Sequence, residues 1–379
     1  MREKIKLLHI IGSLGVGGCE KQLIELCRRL DKTKFEISLL WYAPTPDCMV
    51  DDFKKAGIKT IFFDKFSMPQ WKFLLRIRTA IQKIAPDIVH TWLNSANFWG
   101  SCAAISCGVP HIISSYRVEL RDGIKETKLL TRLAEKALSK KILILTNSKA
   151  IAQSLKTFYW IPEHEVRVIY NAVSLEPCDP IMARNEIRQE LGLPLEQKIV
   201  LMVASQKMQK NHPMLIRTAR RVCKNRPDVT FVAVGREERK DELNLLINQN
   251  DVRREIIFTG QQNDVHRWLA AADIFCLTSH YEGFPNAILE AMMAGLPVVT
   301  TAFPGVDEII EDSATGCIVP LDDDAAMARE VLRLLDSPAV SQQLGANAQA
   351  KVSQIYSWDT LLRRMEDLYS QLCNKIIQP

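Results

Sequence analysis

The chain has 379 residues, 47% of them hydrophobic and 25% charged, values that exclude both a single small module and a disordered chain and point to two or three domains. The formal net charge is +5, split as +9 over residues 1–180 and −4 over residues 181–379, so the first half is expected to meet something anionic, such as a lipid headgroup, a membrane surface or an acidic acceptor. No apolar run approaches the roughly 18 residues needed to span a bilayer, and the ten cysteines form no CxxC pair, which points to reduced thiols in a cytoplasmic protein.

In chain order, Lys6–Ile11 reads as a first buried strand, because Gly12, Gly15, Gly17 and Gly18 break the apolar run before it could act as a leader. The stretch His9–Glu20 thus sets a glycine cluster between a strand and a helix, where glycine lets a backbone approach a diphosphate. Its spacing is neither GxGxxG nor a P-loop, and a bare tight turn explains it equally well. Further strands are predicted at Glu36–Trp41, Lys59–Phe63, Asp87–Thr91, His111–Ser115, Ile142–Thr146 and Val166–Tyr170. Between them, Trp71–Ile84 reads as a helix with Phe73, Leu74, Ile77, Ala80, Ile81 and Ile84 on its apolar stripe and Lys72, Arg76, Thr79 and Lys83 opposite. A basic amphipathic helix with an edge tryptophan can rest on anionic lipid or simply pack on its own sheet. The chain lacks an aromatic-interleaved basic face, so nucleic acid is not an expected partner.

After the turn-rich Glu176–Pro180 the alternation restarts, with strands at Ile199–Ala204, Thr230–Val234, Ile256–Thr259, Ile274–Leu277, Val298–Thr300 and Cys317–Val319. The expected fold class is α/β, with two doubly wound Rossmann-like domains at residues 1–175 and 176–356 facing across a cleft, and a terminal helix in 357–379 crossing back to the first. Ser205–Pro213 follows the first strand of the second domain, and Lys210, with Lys207 second, is placed to neutralise a diphosphate leaving group. The segment Tyr281–Glu290 leads from a strand into a helix whose residues Ala287–Ala294 are all apolar except Glu290. That helix is expected to be buried all round, so Glu290 needs a cation, a structural ion-pair partner or the two hydroxyls of a ribose. Gly283 and the helix start offer amides to a phosphate, and Glu282 is either a grip on sugar hydroxyls or a solvated loop residue. Asp322-Asp323-Asp324 precedes a helical pattern and reads as a cap, not a metal site. No histidine spacing suggests a metal ligand set, and Trp358–Leu372 forms a last amphipathic segment.

These stretches together resemble glycosyltransferase family 4, retaining, nucleotide-sugar-dependent enzymes of GT-B fold. The likeness is strongest over Glu282-Gly283-Phe284-Pro285-Asn286-Ala287-Ile288-Leu289-Glu290, and it extends to Leu14–Glu20 and to Pro304–Glu308 with Thr315-Gly316. The resemblance implies that Glu282 binds the donor sugar, that Gly283 and Phe284 hold it through their amides, and that Pro285 and Asn286 complete the donor loop. It further implies that the amides of Ala287 and Ile288 meet phosphate, Glu290 meets ribose, Gly17 and Gly18 line the phosphate side, and Lys210 contacts the diphosphate. Lys210 and Glu282 are the pair it assigns to the chemistry. Ser205 stands where family members often carry an arginine, and Lys207 is the substitute cation. His90, Trp92 and Arg117 are the acceptor-side candidates, and Tyr170-Asn171-Ala172 the expected hinge. The likeness thus implies a hexosyl or N-acetylhexosaminyl transferase in polysaccharide or glycoconjugate assembly. It would need no metal or cofactor beyond the nucleotide-diphosphate sugar donor, and would use a glycan, lipid-linked or small-molecule acceptor at the inner face of a membrane. A nucleotide-sugar epimerase and a non-catalytic sugar-binding protein are the alternatives.

Overall fold

A computed structural model describes residues 4–46, 48–120 and 129–374. They form two units. The first comprises the described parts of Met1–Asn171 and Asp359–Pro379; the second is Ala172–Trp358.

The first unit is built on seven parallel strands: β1 (Ile5–Ile11), β2 (Phe35–Trp41), β3 (Lys59–Phe62), β4 (Ile88–Trp92), β5 (His111–Tyr116), β6 (Leu143–Thr146) and β7 (Val166–Val168). Their spatial order is β3-β2-β1-β4-β5-β6-β7. Helices α1 (Gly18–Arg29), α2 (Val50–Lys55), α3 (Gln70–Ile84), α4 (Asn94–Ser106), α5 (Leu129–Ser139) and α6 (Lys149–Tyr159) connect them. The second unit carries six parallel strands in the order β10-β9-β8-β11-β12-β13: β8 (Lys198–Val203), β9 (Val229–Val234), β10 (Ile256–Gly260), β11 (Ile274–Leu277), β12 (Val298–Thr301) and β13 (Cys317–Val319). Its helices are α7 (Pro180–Glu190), α8 (His212–Cys223), α9 (Lys240–Asn250), α10 (Val265–Ala271), α11 (Asn286–Met293), α12 (Val306–Ile309), α13 (Asp324–Asp336) and α14 (Pro338–Ile355). The last helix, α15 (Trp358–Asn374), packs Met365, Leu368 and Tyr369 into the first unit, with the Tyr369 ring 5.8 Å from that of Phe35. All thirteen predicted strands are present, because a parallel sheet covered on both faces demands near-continuous β-branched runs that are easily read.

Each order reverses direction between two strands, β1/β4 in one unit and β8/β11 in the other. Chain connections leave on opposite sides at such a point and open a crevice at the strand C-termini. The glycine loop after β1, the Ser205–Lys210 loop after β8 and the Thr278–Glu282 loop after β11 all emerge there. Gly235, at the end of β9, has φ +157°, and a Cβ on it would lie 2.1 Å from the Ala204 carbonyl oxygen, so the Ser205 loop takes its course over a position that only glycine can occupy.

One helix differs from expectation. Helix α11 is not buried all round: Ile288, Leu289, Ala291 and Met292 face the core, while Asn286, Ala287, Glu290 and Met293 form a half-buried stripe at helical spacing. Small and flexible apolar residues on that stripe disguise it in the sequence. The helix closes with Gly295 at φ +74°, where the amides of Gly295 and Leu296 reach back to the carbonyls of Met292 and Ala291. In α3, Phe73, Ile77, Ala80 and Ile81 are buried as predicted, Leu74 and Ile84 on the same stripe are half-buried, and Trp71 and Leu75, expected at its flanks, stand 65% and 48% exposed. The Asp322–Asp324 run caps α13: Asp323 accepts the Ala326 amide at 2.8 Å and Asp324 pairs with Arg217 and Arg221.

Candidate functional site

In the second unit the loop after β8 makes one short 3-10 turn, Met208–Lys210, and stops at Asn211, whose left-handed backbone (φ 49°) starts α8. The loop after β11 is stitched to it. Thr278 donates its hydroxyl to the carbonyls of Lys210 and Asn211 at 2.9 and 3.1 Å, and the His280 amide donates to the Gln209 carbonyl at 2.8 Å. Across this seam Lys210 Nζ donates to Glu282 Oε1 at 2.5 Å, and Ser279 Oγ donates to the same oxygen at 2.6 Å. Thr301, at the end of β12, fixes Ser279 through its carbonyl. Glu282 is only 6% exposed, so it is not a solvated loop residue: removing a carboxylate from water demands a partner, and Lys210 with Ser279 supplies it. This arrangement holds the Lys210 ammonium at the crevice with donor capacity to spare.

The start of α11 adjoins this pair in sequence. Pro285 occupies the N-cap and supplies no side-chain acceptor, so the positive end of the helix dipole meets the loop without a side-chain cap. Of the two amides expected to meet phosphate, that of Ile288 is engaged within the helix, donating to the Pro285 carbonyl at 3.1 Å. Gly283 is half-buried and Phe284 is buried against Tyr356, ring centroids 5.6 Å apart, while the Tyr356 hydroxyl donates to the Glu308 carbonyl and its own carbonyl accepts the Val173 amide. No motif marks Tyr356, Ser279 or Thr278 in the sequence. Ser205 is half-buried, while Lys207 is exposed and bonds locally through its amide to the Ser205 carbonyl. The loop is secured instead by the buried Gln206, whose Oε1 accepts the amides of Glu238 and Arg239.

The first unit presents Gly17 as the N-cap of α1 and Gly18 as its first residue, again with no side-chain cap on the helix. A Cβ on Gly17 would meet only the end of the flexible Glu20 side chain, Oε2 at 2.5 Å. Two of the acceptor-side candidates are enclosed. His90 and Trp92 are 0% and 1% exposed because β4 is central, flanked by β1 and β5. His90 bonds Tyr369 and Ser115 at 2.8 and 2.7 Å, and Trp92 Nε1 donates to His9 Nδ1 at 3.0 Å, so these rings hold α15 to the sheet. Arg117 is half-buried, stacks on Trp92 at 4.3 Å and donates to Asn171 Oδ1 at 2.6 Å. A further cation, Lys65, has no sequence signal: its Nζ lies 5.2–5.7 Å over the rings of Tyr42, Phe73 and Trp99 and 3.4 Å from Ser95 Oγ. Among the described residues no carboxylate pairs with it. Rings converging from three elements leave no linear signature.

Burial sets the protonation of the enclosed histidines. It lowers His9 to about 3 and His212 to about 4, and takes His90 well below its usual value, with the charges of His9 and Arg117 adding to the effect. Such groups bind fewer protons folded than unfolded. Their contribution to stability is therefore complete above pH 6.5 and is lost as pH falls from 6.5 toward 4. Glu135, buried and raised to about 6, works in the opposite sense between pH 4.5 and 6, but it is one group against three. Urea unfolding should accordingly show stability falling by several kcal/mol between pH 7 and 4.5, and His212→Asn should flatten that slope by about one proton. A stability independent of pH over this range would contradict the burial assignments.

Residues 183–351 match the family model described as glycosyl transferases group 1, and residues 16–177 the model described as glycosyltransferase family 4. The UDP-Gal:alpha-D-GlcNAc-diphosphoundecaprenol alpha-1,3-galactosyltransferase of Escherichia coli is 26% identical over 379 residues, spanning 97% of each chain. The N-acetylgalactosamine-N,N'-diacetylbacillosaminyl-diphospho-undecaprenol 4-alpha-N-acetylgalactosaminyltransferase of Campylobacter jejuni is 26% identical over 349 residues, 87% of this chain and 90% of that protein. Among solved structures, Anabaena HepE in complex with UDP and glucose has a TM-score of 0.84 at 20% identity, covering 97% of this chain and 100% of that one. Two Rossmann-like units of this order, with both family models matched in sequence, make the GT-B fold, and the chain belongs to glycosyltransferase family 4.

Proposed function

We propose that the chain is a retaining transferase that moves a hexosyl or N-acetylhexosaminyl group from a uridine-diphosphate sugar to a glycan or lipid-linked acceptor in polysaccharide or glycoconjugate assembly. The observation that carries this reading is the Lys210–Glu282 pair, held by Ser279 at the strand ends next to the uncapped start of α11. The relatives support these classes, since the name of the Escherichia coli protein specifies UDP-galactose and both names specify an undecaprenol-diphosphate-linked sugar.

In this scheme the acceptor oxygen bonds to the anomeric carbon on the face from which the diphosphate departs, and a phosphate oxygen of that leaving group takes the acceptor proton. Lys210 and the Ala287 amide stabilise the charge that develops on the diphosphate, so no metal is required. Glu282 orients Lys210 through Oε1 and offers its other oxygen to sugar hydroxyls, and Glu290, on the half-buried stripe of α11, takes the ribose diol. Arg117 and Lys65 are the first unit's cations available to an anionic acceptor. Placement in the cytoplasm follows from the supply of the nucleotide sugar. Among the described residues no helix is long and apolar enough to cross a membrane.

A thermal-shift panel of nucleoside diphosphates and their sugars tests the donor class. At a concentration 100 times Kd, the cognate ligand adds about 2.7 kcal/mol of stability, a rise of several degrees in Tm. Glu290→Ala should weaken nucleotide binding by about tenfold or more, the worth of one charge-assisted hydrogen bond. A flat panel would remove the donor assignment. An epimer accumulating without acceptor would favour the epimerase, and binding without any turnover the sugar-binding protein.

A further inference from the structure

The loop that runs from β13 to α13 adds a third partner to the seam between the Lys210 and Glu282 loops. Two residues at this seam hold the left-handed backbone that glycine adopts freely, Asn211 at φ 49° and Asp322 at φ 59°. A glycine lacks a side chain, and here the two side chains bond each other. Asn211 Nδ2 donates to Asp322 Oδ1 at 2.8 Å, while Asn211 Oδ1 accepts the Met214 amide at 3.4 Å. The same Asp322 oxygen lies 2.9 Å from His280 Nε2, and because a carboxylate only accepts, that nitrogen is the donor. His280 is therefore held at both ends, its amide by the Gln209 carbonyl and its ring by Asp322. Its neighbour in sequence is Ser279, which donates to Glu282, and Asn211 directly follows Lys210.

We infer that Asp322 is a positioning residue for transfer: its carboxylate clasps Asn211 and His280 and so keeps the Lys210 ammonium and the Glu282 carboxylate in register before the donor arrives. The inference rests on the reading of Lys210 as the cation at the diphosphate. A purely stabilising role does not account for the arrangement. The side chains of His280 and Asp322 are 35% and 60% exposed, and exposed pairs add little to stability. The backbone at Asp322 is nevertheless kept in a conformation that costs an aspartate more than a glycine. A contact that is weak in stability but joins three loops acts on geometry, and a displacement of about 1 Å at a group that meets the leaving diphosphate is enough to cost about a hundredfold in rate. Asp323 and Asp324 do not share the task, since the first caps α13 and the second pairs with Arg217 and Arg221.

The test reads UDP released by the full chain from UDP-galactose, UDP-glucose, UDP-N-acetylgalactosamine and UDP-N-acetylglucosamine, with water as the acceptor so that only donor chemistry is required. Asp322→Gly keeps the left-handed turn and removes the clasp. It should lower kcat by about tenfold to a hundredfold, while KM, the thermal shift with UDP and the Tm stay close to those of the unmodified chain. Asp322→Asn retains an oxygen that accepts both bonds and should restore most of the rate. His280→Gln, whose amide nitrogen reaches the position of Nε2, should likewise be faster than His280→Ala. In the Lys210→Ala background Asp322→Gly should change kcat by less than about twofold, because the clasp acts through Lys210. A full rate in Asp322→Gly beside a slow Lys210→Ala, a rate loss that tracks a loss of Tm, a rise in KM at constant kcat, or equal losses in both backgrounds would overturn the clasp alone. No UDP released from any of the four sugars, or a full rate in Lys210→Ala, would overturn the reading of the donor site and the clasp with it.

Discussion

Lys210→Ala should lower kcat by about 10²–10³-fold, the usual cost of removing one preorganised charge from a developing anion, while changing the affinity for UDP by less than about tenfold. The asymmetry follows from geometry. Lys210 is fixed by Glu282 at 2.5 Å and anchored through its own carbonyl by Thr278, so its position is set before substrate arrives. Charge on the diphosphate is greatest as the glycosidic bond breaks, and interactions that strengthen in the transition state raise kcat more than they lower Kd. Glu282→Gln keeps the volume but loses the ion pair, and it should reproduce most of this loss. Steady-state kinetics with saturating donor, alongside UDP titration, separates the two effects. A tenfold rise in Kd with kcat preserved would assign Lys210 to binding only.

Gly345→Ala should destabilise the second unit by about 3 kcal/mol, at the upper end of the cost of overpacking. Gly345 sits inside α14, where alanine would ordinarily favour the helix. Here a Cβ would lie 2.0 Å from the Gly295 carbonyl oxygen, in the turn that closes α11. That atom is backbone and held by the C-terminal cap, so α14 must move away as a body. The displacement would also loosen Gln349, which donates to the Met293 carbonyl at 2.8 Å, and with it the register of α11. Urea denaturation should show the loss, and nucleotide affinity should fall alongside it. Stability equal to that of the unmodified chain would mean that α14 can slide over α11 freely.

The fold is largely legible in the sequence because a strand buried on both faces has no freedom in composition: Ile274–Leu277 and Cys317–Val319 have the same bounds in the residue pattern and in the structure. The passage from loop to helix at Tyr281–Glu290 is legible because Gly283 and Pro285 carry signals at short range. Pairing across long range is not. Lys210 and Glu282 are 72 positions apart, and nothing in either neighbourhood states that one closes the other's charge. His90 and Trp92 lie near the end of a strand and so suggest a ligand edge, but exposure there depends on what covers the strand, and Tyr369 arrives from 279 residues away. The open side of α11 is concealed because alanine and methionine are as common at half-covered positions as in cores.

Because α15 completes the first unit, that unit is discontinuous in the chain. During synthesis its sheet emerges before the second unit, yet the tyrosine that caps His90 and fills the space beside Phe35 emerges only after it. The second unit, wholly contained between Ala172 and Trp358, is available to fold before that. A nascent chain therefore passes through a stage with a folded second unit and a first unit whose central histidine is still open to water, and a stop codon before Tyr369 would hold it there.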